Sequence, residues 1–207
     1  MPGYVRPIAD ERDGLLAFLA QQRLVLRTAA HGLTDEQARS APSRSALSVG
    51  GLVKHVTFTE RGWMDTVRQR RPPGSAEERS AASLENFRMG ADETLEELLA
   101  RYDEVARETE ETVAGIEDLG LPVPVPPGAG WLPRDVDAWS VRWVLFHLIE
   151  ETARHAGHAD IVREHLDGAT AFGLLAAAEG WPESPWLKPW RPADRVGQPA
   201  SPLRRTL

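Results

Sequence analysis

The sequence predicts an all-α fold, a four-helix bundle with one long crossover connection and a proline-rich C-terminal tail. Three observations carry that expectation. Four long segments repeat their apolar residues at three- and four-residue intervals, the period of a helix with one buried face. Asp10, Ser48 and Ser140 stand just ahead of three of them, where side-chain oxygens cap free amides, and Gly32 and Gly168 stand just beyond two of them. Stretches crowded with proline, glycine and serine lie between, and these cannot continue a helix. Amphipathic helices joined by turns bury their stripes against one another, which makes a bundle. Residues 1–168 are expected to form it, and residues 169–207 to add a short helix and a tail packed on it.

In chain order, residues 4–9 read as a leader. The first helix starts at Glu11 and carries Leu15, Leu16, Phe18, Leu19, Leu24, Val25 and Leu26 at helical spacing. Thr34 followed by Gln37 has the spacing of a capping box, so a short helical turn is expected before Pro42. The second long helix runs from Val49 to about Arg70, with Leu52, His55, Val56, Thr59 and Trp63 on its inner face. Arg70 to Ser83 is a loop, and the connection through 70–91 is long enough for a crossover. The third helix covers about Asp92 to Ile116 and ends near Glu117 and Asp118. Its apolar stripe holds Leu95, Leu98, Tyr102, Val105 and Val113, and its acidic side, including Glu96, Glu97, Asp103 and Glu110, is a solvated face. Residues 118–139 contain LPVPVPPGAGWLPRDVD, a short extended excursion. The fourth helix runs from Val141 to about Leu166 with Val144, Leu145 and Leu148 inside. A short helix over about Ala171 to Glu179 then leads into a tail with Trp181, Trp186 and Trp190, readable as a lid or brace.

Composition narrows the function. At 207 residues and 42% apolar, the chain can bury a real core. A net charge of −7 argues against nucleic acid, whose phosphates favour a basic face. The absence of cysteine excludes disulfides, thiolate zinc knuckles and a cysteine nucleophile. Any thiol chemistry must therefore use a thiol from outside the chain. No run of 18 apolar residues and no signal core is present, so a cytoplasmic protein with no membrane partner is expected.

The chemistry concentrates in HLIEETARHAGH, from His147 to His158. At about 100° per residue, His147, Glu151, His155 and His158 share an arc about 80° wide on the fourth helix. Burying three imidazoles and a carboxylate is costly unless they hold a metal, form an acid/base site or hydrogen-bond to one another. One metal ion cannot take them all, since His147 and His155 are about 12 Å apart along the axis and metal–ligand bonds are about 2.0–2.2 Å. The usable pairs are His147/Glu151, Glu151/His155 and His155/His158. The middle pair, with His55 from the second helix, makes a His₂Glu set with one position left open, the pattern of a catalytic site. A polar network or solvated histidines are the alternatives. His147 and His158 are candidates for proton carriers or partners of the ligands, with a surface or rim histidine as the alternative. His31 and His165 read as helix C-terminal residues, Arg142 and Arg154 as ion-pairing partners on their own helix, and Trp63 and Trp143 as core or interface residues.

The histidine in GLVKHV and the run WSVRWVLFHLIEETARHAGHADIVREHLDG together resemble the DinB-like superfamily. The resemblance is nearest to actinobacterial domains of unknown function and to the N-terminal domain of mycothiol-dependent maleylpyruvate isomerases. That superfamily places a histidine on its second helix, then H-x3-H and an R-G-Q-like triplet on its fourth. Here Glu151 takes the first position of the pair and His155 the second, followed by Ala156, Gly157 and His158. The isomerase branch has the same glutamate, and its zinc is held by two histidines and one glutamate. Over about residues 10–168, the resemblance implies a divalent metal on His55, Glu151 and His155. Zinc suits the set, with Ni2+, Fe2+ or Mn2+ as alternatives. It further implies a low-molecular-weight thiol cosubstrate such as mycothiol; His158 and His147, each about a turn from a proposed ligand, remain the catalytic candidates. The expected activity is a metal-dependent thiol S-transferase acting on a small electrophile. The alternatives are a metal-dependent hydrolase and a non-enzymatic metal-binding protein. The tail does not correspond to the C-terminal domain of the isomerase. The spare tryptophans are compatible with a homodimer.

Overall fold

Asp10 accepts a hydrogen bond from the Asp13 amide and starts helix α1 (Glu11–Ala29), which buries Leu15, Leu19 and Leu26. These details come from a computed structural model that describes residues 3–70, 85–125 and 136–192. Phe18 departs from the expected stripe and is 47% exposed, because it falls between the positions that reach the core. Thr34 and Gln37 form the expected capping box at the start of α2 (Asp35–Arg39). Ser48 caps α3 (Val49–Val67), which stops short of the expected Arg70 because Gln69 takes a left-handed φ of 54°. Beyond Arg70, the expected loop to Ser83, and most of the crossover, lie outside the described residues.

The third long helix, α4 (Leu95–Ala114), begins three residues later than expected. A second capping box, Thr94 with Glu97, sets its start, and Gly115 closes it before Glu117. The proline-rich excursion pairs two short strands, β1 (Pro122–Pro124) and β2 (Ala138–Ser140), antiparallel with Val123 opposite Trp139. Ser140 ends β2 and caps α5 (Val141–Asp167) through the Trp143 amide, and Gly168 ends α5 at φ 76°. A positive φ of this kind costs a side-chain-bearing residue about 1 kcal/mol, so glycine belongs there. A final helix, α6 (Ala171–Ala178), packs on α1.

The long helices form the expected all-α bundle. Helix α5 lies along α1 and α3, and α3 lies along α4. Two apolar clusters fill it. One gathers Leu26, Leu52, Val56, Leu98, Tyr102 and Ala159, and the other Leu19, Trp63, Met64, Val113, Leu145 and Leu148. Each fully buried leucine contributes about 2 kcal/mol relative to an exposed one. Helices α1, α3 and α4 also share a buried polar group: Arg23 grips Glu60 at 2.5 Å and 3.2 Å, and Thr109 donates to Glu60 at 2.6 Å. Arg142 does not pair along its own helix as expected. It reaches Glu11 of α1 at 2.6 Å, because the start of α5 lies beside the start of α1. At the other end, Arg163 is fully buried, donates to the Ala29 and His31 carbonyls, and lies 4.9 Å from the Trp190 ring. Among the described residues, no helix is long and apolar enough to cross a membrane.

Candidate metal centre

The site is assembled where α3 and α5 face each other. On α3, His55 follows the Ser48 cap by two turns and sits on the same face as Leu52 and Val56, which turns it into the bundle. On α5, Glu151 and His155 are four residues apart and so share a face, between Leu148 and Ala159. Both histidines are more than nine-tenths buried, while Glu151 is half-buried.

One atom organises the group. Glu151 Oε1 lies 3.1 Å from His55 Nε2 and 3.2 Å from His155 Nε2. The three ligand atoms fall within 4.8 Å of one another. Around a tetrahedral zinc with bonds of about 2.0–2.2 Å, neighbouring donor atoms stand about 3.3–3.5 Å apart. Two imidazole nitrogens and one carboxylate oxygen converging at this spacing fit a divalent cation. The two histidines hold the Glu151 carboxyl well below the usual carboxylate range, His155 contributing most, so it is ionised at neutral pH as a ligand must be.

The other candidates divide. His158 is half-buried beside His155, with ring centroids 5.5 Å apart, and its Nδ1, like that of His155, is buried without a hydrogen-bond partner among the described residues. His147 sits one turn before Glu151 in an aromatic stack. Its ring lies parallel to Trp143 at 5.2 Å, edge-on to Trp63 at 5.0 Å, and Trp143 stacks in turn on Trp139 at 4.7 Å. His31 meets Trp190 edge-on at 5.8 Å, and His165 Nδ1 donates to the Ile161 carbonyl at 2.9 Å. Arg154 points to solvent. Sequence reasoning missed Phe87, whose ring stacks on His55 at 3.7 Å. Phe87 follows a long connection and lies on no periodic stripe, so no sequence signal marks it.

Comparison with known proteins gives this geometry a setting. The chain matches the mycothiol-S-transferase family over residues 14–168, a range that contains His55, Glu151, His155, His147 and His158. No curated protein matches it. Among solved structures, it is similar to a conserved protein from Enterococcus faecalis, with 14% identity, a TM-score of 0.55 and coverage of 78% of this chain and 99% of that one. At that identity the likeness speaks to the fold alone.

Proposed function

Since this chain belongs to the mycothiol-S-transferase family, within the DinB-like superfamily, we propose that it is a divalent-metal enzyme joining a low-molecular-weight thiol such as mycothiol to an electrophilic carbon. The observation that carries the proposal is the convergence of His55 Nε2, Glu151 Oε1 and His155 Nε2 on one point between α3 and α5. A His₂Glu set favours zinc and leaves a position for an exogenous ligand. A divalent cation there supplies Lewis acidity that favours the thiolate form of a thiol at neutral pH.

The chain's own residues complete the reaction. The thiol proton passes to a base as the sulfur bonds to carbon; a halide departs as the free anion, whereas an opened epoxide oxygen takes up the proton from that base to become a hydroxyl. His158 is proposed as that base, since it is half-buried beside His155 with a buried Nδ1 that has no hydrogen-bond partner among the described residues. His147, held by Trp63 and Trp143, is proposed to line the approach to Glu151. The chain has no cysteine, so no internal thiol competes.

The test is a conjugation assay with zinc-loaded protein, mycothiol and a fluorogenic alkyl halide. The expected result is a thioether product, lost in His55→Ala and reduced in His158→Gln. Turnover of the electrophile to its hydrolysis product without thiol would favour water activation instead. No turnover in either arm, with metal bound, would overturn an enzymatic reading.

A further inference from the structure

The start of α3 reads VGGLVKH, with two glycines in the first turn of the helix, neither at a positive φ that would require glycine. What crosses that turn explains them. A Cβ on Gly51 would lie 2.1 Å from the carbonyl oxygen of Phe87, and one on Gly50 would lie 2.5 Å from Met89 Sδ and 3.0 Å from the Ala38 carbonyl. The segment before α4 is therefore laid directly on the helix backbone, at a distance that only glycine permits. Four residues beyond Gly51, one turn along the same face, is His55.

That close approach delivers the Phe87 ring onto the His55 ring. The two are nearly parallel, 17° apart, with centroids 3.7 Å apart, and Phe87 also lies 5.7 Å from the His155 ring. Imidazole that must present Nε2 to Glu151 and to a cation has to be held against rotation about its side-chain bonds. Here a flat apolar ring covers one of its faces while the α3–α5 packing holds the other residues of the group. The methionine that follows anchors the same segment, since Met89 is buried against Val49, Leu52 and Leu95 in the same apolar cluster.

We infer that Phe87 is a positioning residue for the metal centre: Gly51 admits its backbone against α3, and its ring locks the His55 imidazole in the orientation that ligates. The inference rests on the reading of His55 as a ligand. It assigns a role to a residue outside the helices that carry the donor atoms, and it gives Gly51 a function other than flexibility.

Metal affinity and coordination geometry test it without recourse to activity. Chelator competition with zinc, and the visible absorption of the cobalt-loaded protein, would be measured for Phe87→Leu, Phe87→Ala, Phe87→Tyr and Gly51→Ala. Gly62→Ala serves as control, since Gly62 is on the same helix and a Cβ there meets nothing within 4 Å. Removing the ring is expected to weaken zinc binding by about tenfold or more, the range typical of residues that orient ligands, and to alter the cobalt bands. Phe87→Tyr, which keeps the ring, is expected to stay near wild type, as is Gly62→Ala. Gly51→Ala is expected to resemble Phe87→Leu. Thermal unfolding of the metal-free variants separates a general loss of packing from a loss confined to the metal centre. Wild-type zinc affinity and an unchanged cobalt spectrum in Phe87→Leu would overturn the positioning role while leaving the ligand assignment intact. Full metal retention in His55→Ala would overturn the ligand assignment and this inference with it.

Discussion

At the scale of single residues, two carboxyls in this protein titrate in opposite directions for opposite reasons. Glu151 accepts contacts from two imidazoles and is depressed. Its stabilising effect is present above the ordinary carboxylate range and is lost as pH falls toward its folded value. Glu151→Gln keeps the shape and removes the charge. Its metal affinity is expected to fall by tenfold or more, measured by chelator competition at pH 7. Asp160, on the same helix, has no charged or hydrogen-bonding partner among the described residues to favour its ionised form. Burial among apolar neighbours, then the charge of Glu164, raise it from 3.8 to about 6. The folded state then binds a proton more tightly than the unfolded state does, so stability is lost as pH rises from about 4 to 6. Asp160→Asn is expected to stabilise the protein by about 1 kcal/mol at pH 7.5, after allowance for partial exposure, and by nothing at pH 3.5. Urea titrations at the two pH values check both the size and the sign. The grouping of Glu151 with His155 was legible in the sequence, because i,i+4 spacing on a helix fixes proximity. Phe87 on His55 and Glu60 on Arg23 were not, because each pairing depends on how separate segments cross, and no local period records that.

At the scale of elements, helix ends decided where sequence reading succeeded. Ser48, Ser140, Thr34 and Gly168 act where their residue types indicate. The apolar period predicts a start near Asp92, but the Thr94–Glu97 box sets it at Leu95 by satisfying two amides reciprocally. Thr94→Ala is expected to cost about 1 kcal/mol in chemical denaturation, whereas Asp92→Ala is expected to cost little. The same accounting explains Arg142. Its guanidinium is placed by the lateral packing of α5 on α1, so Glu11 captures it in place of a carboxylate one turn away.

At the scale of the whole molecule, the fold class followed from four amphipathic segments, while the polar interior did not. Glu60 is fully buried on α3 and satisfied by Arg23 of α1 and Thr109 of α4, which pins three helices at one level. Glu60→Ala would leave the buried Arg23 with only the half-exposed Glu110 as its ionic partner, and is expected to cost about 3 kcal/mol, seen as a fall in the denaturation midpoint. A cation held as proposed by His55, Glu151 and His155 would add a second tie, between α3 and α5. The measurement that bears most directly on the central claim is the metal content of the purified chain beside His55→Ala, Glu151→Gln and His155→Ala, by elemental analysis after equilibration with zinc. One zinc per chain in the wild type, with a marked loss in each variant, is the expected result. Undiminished zinc in all three variants, or none in the wild type, would contradict it.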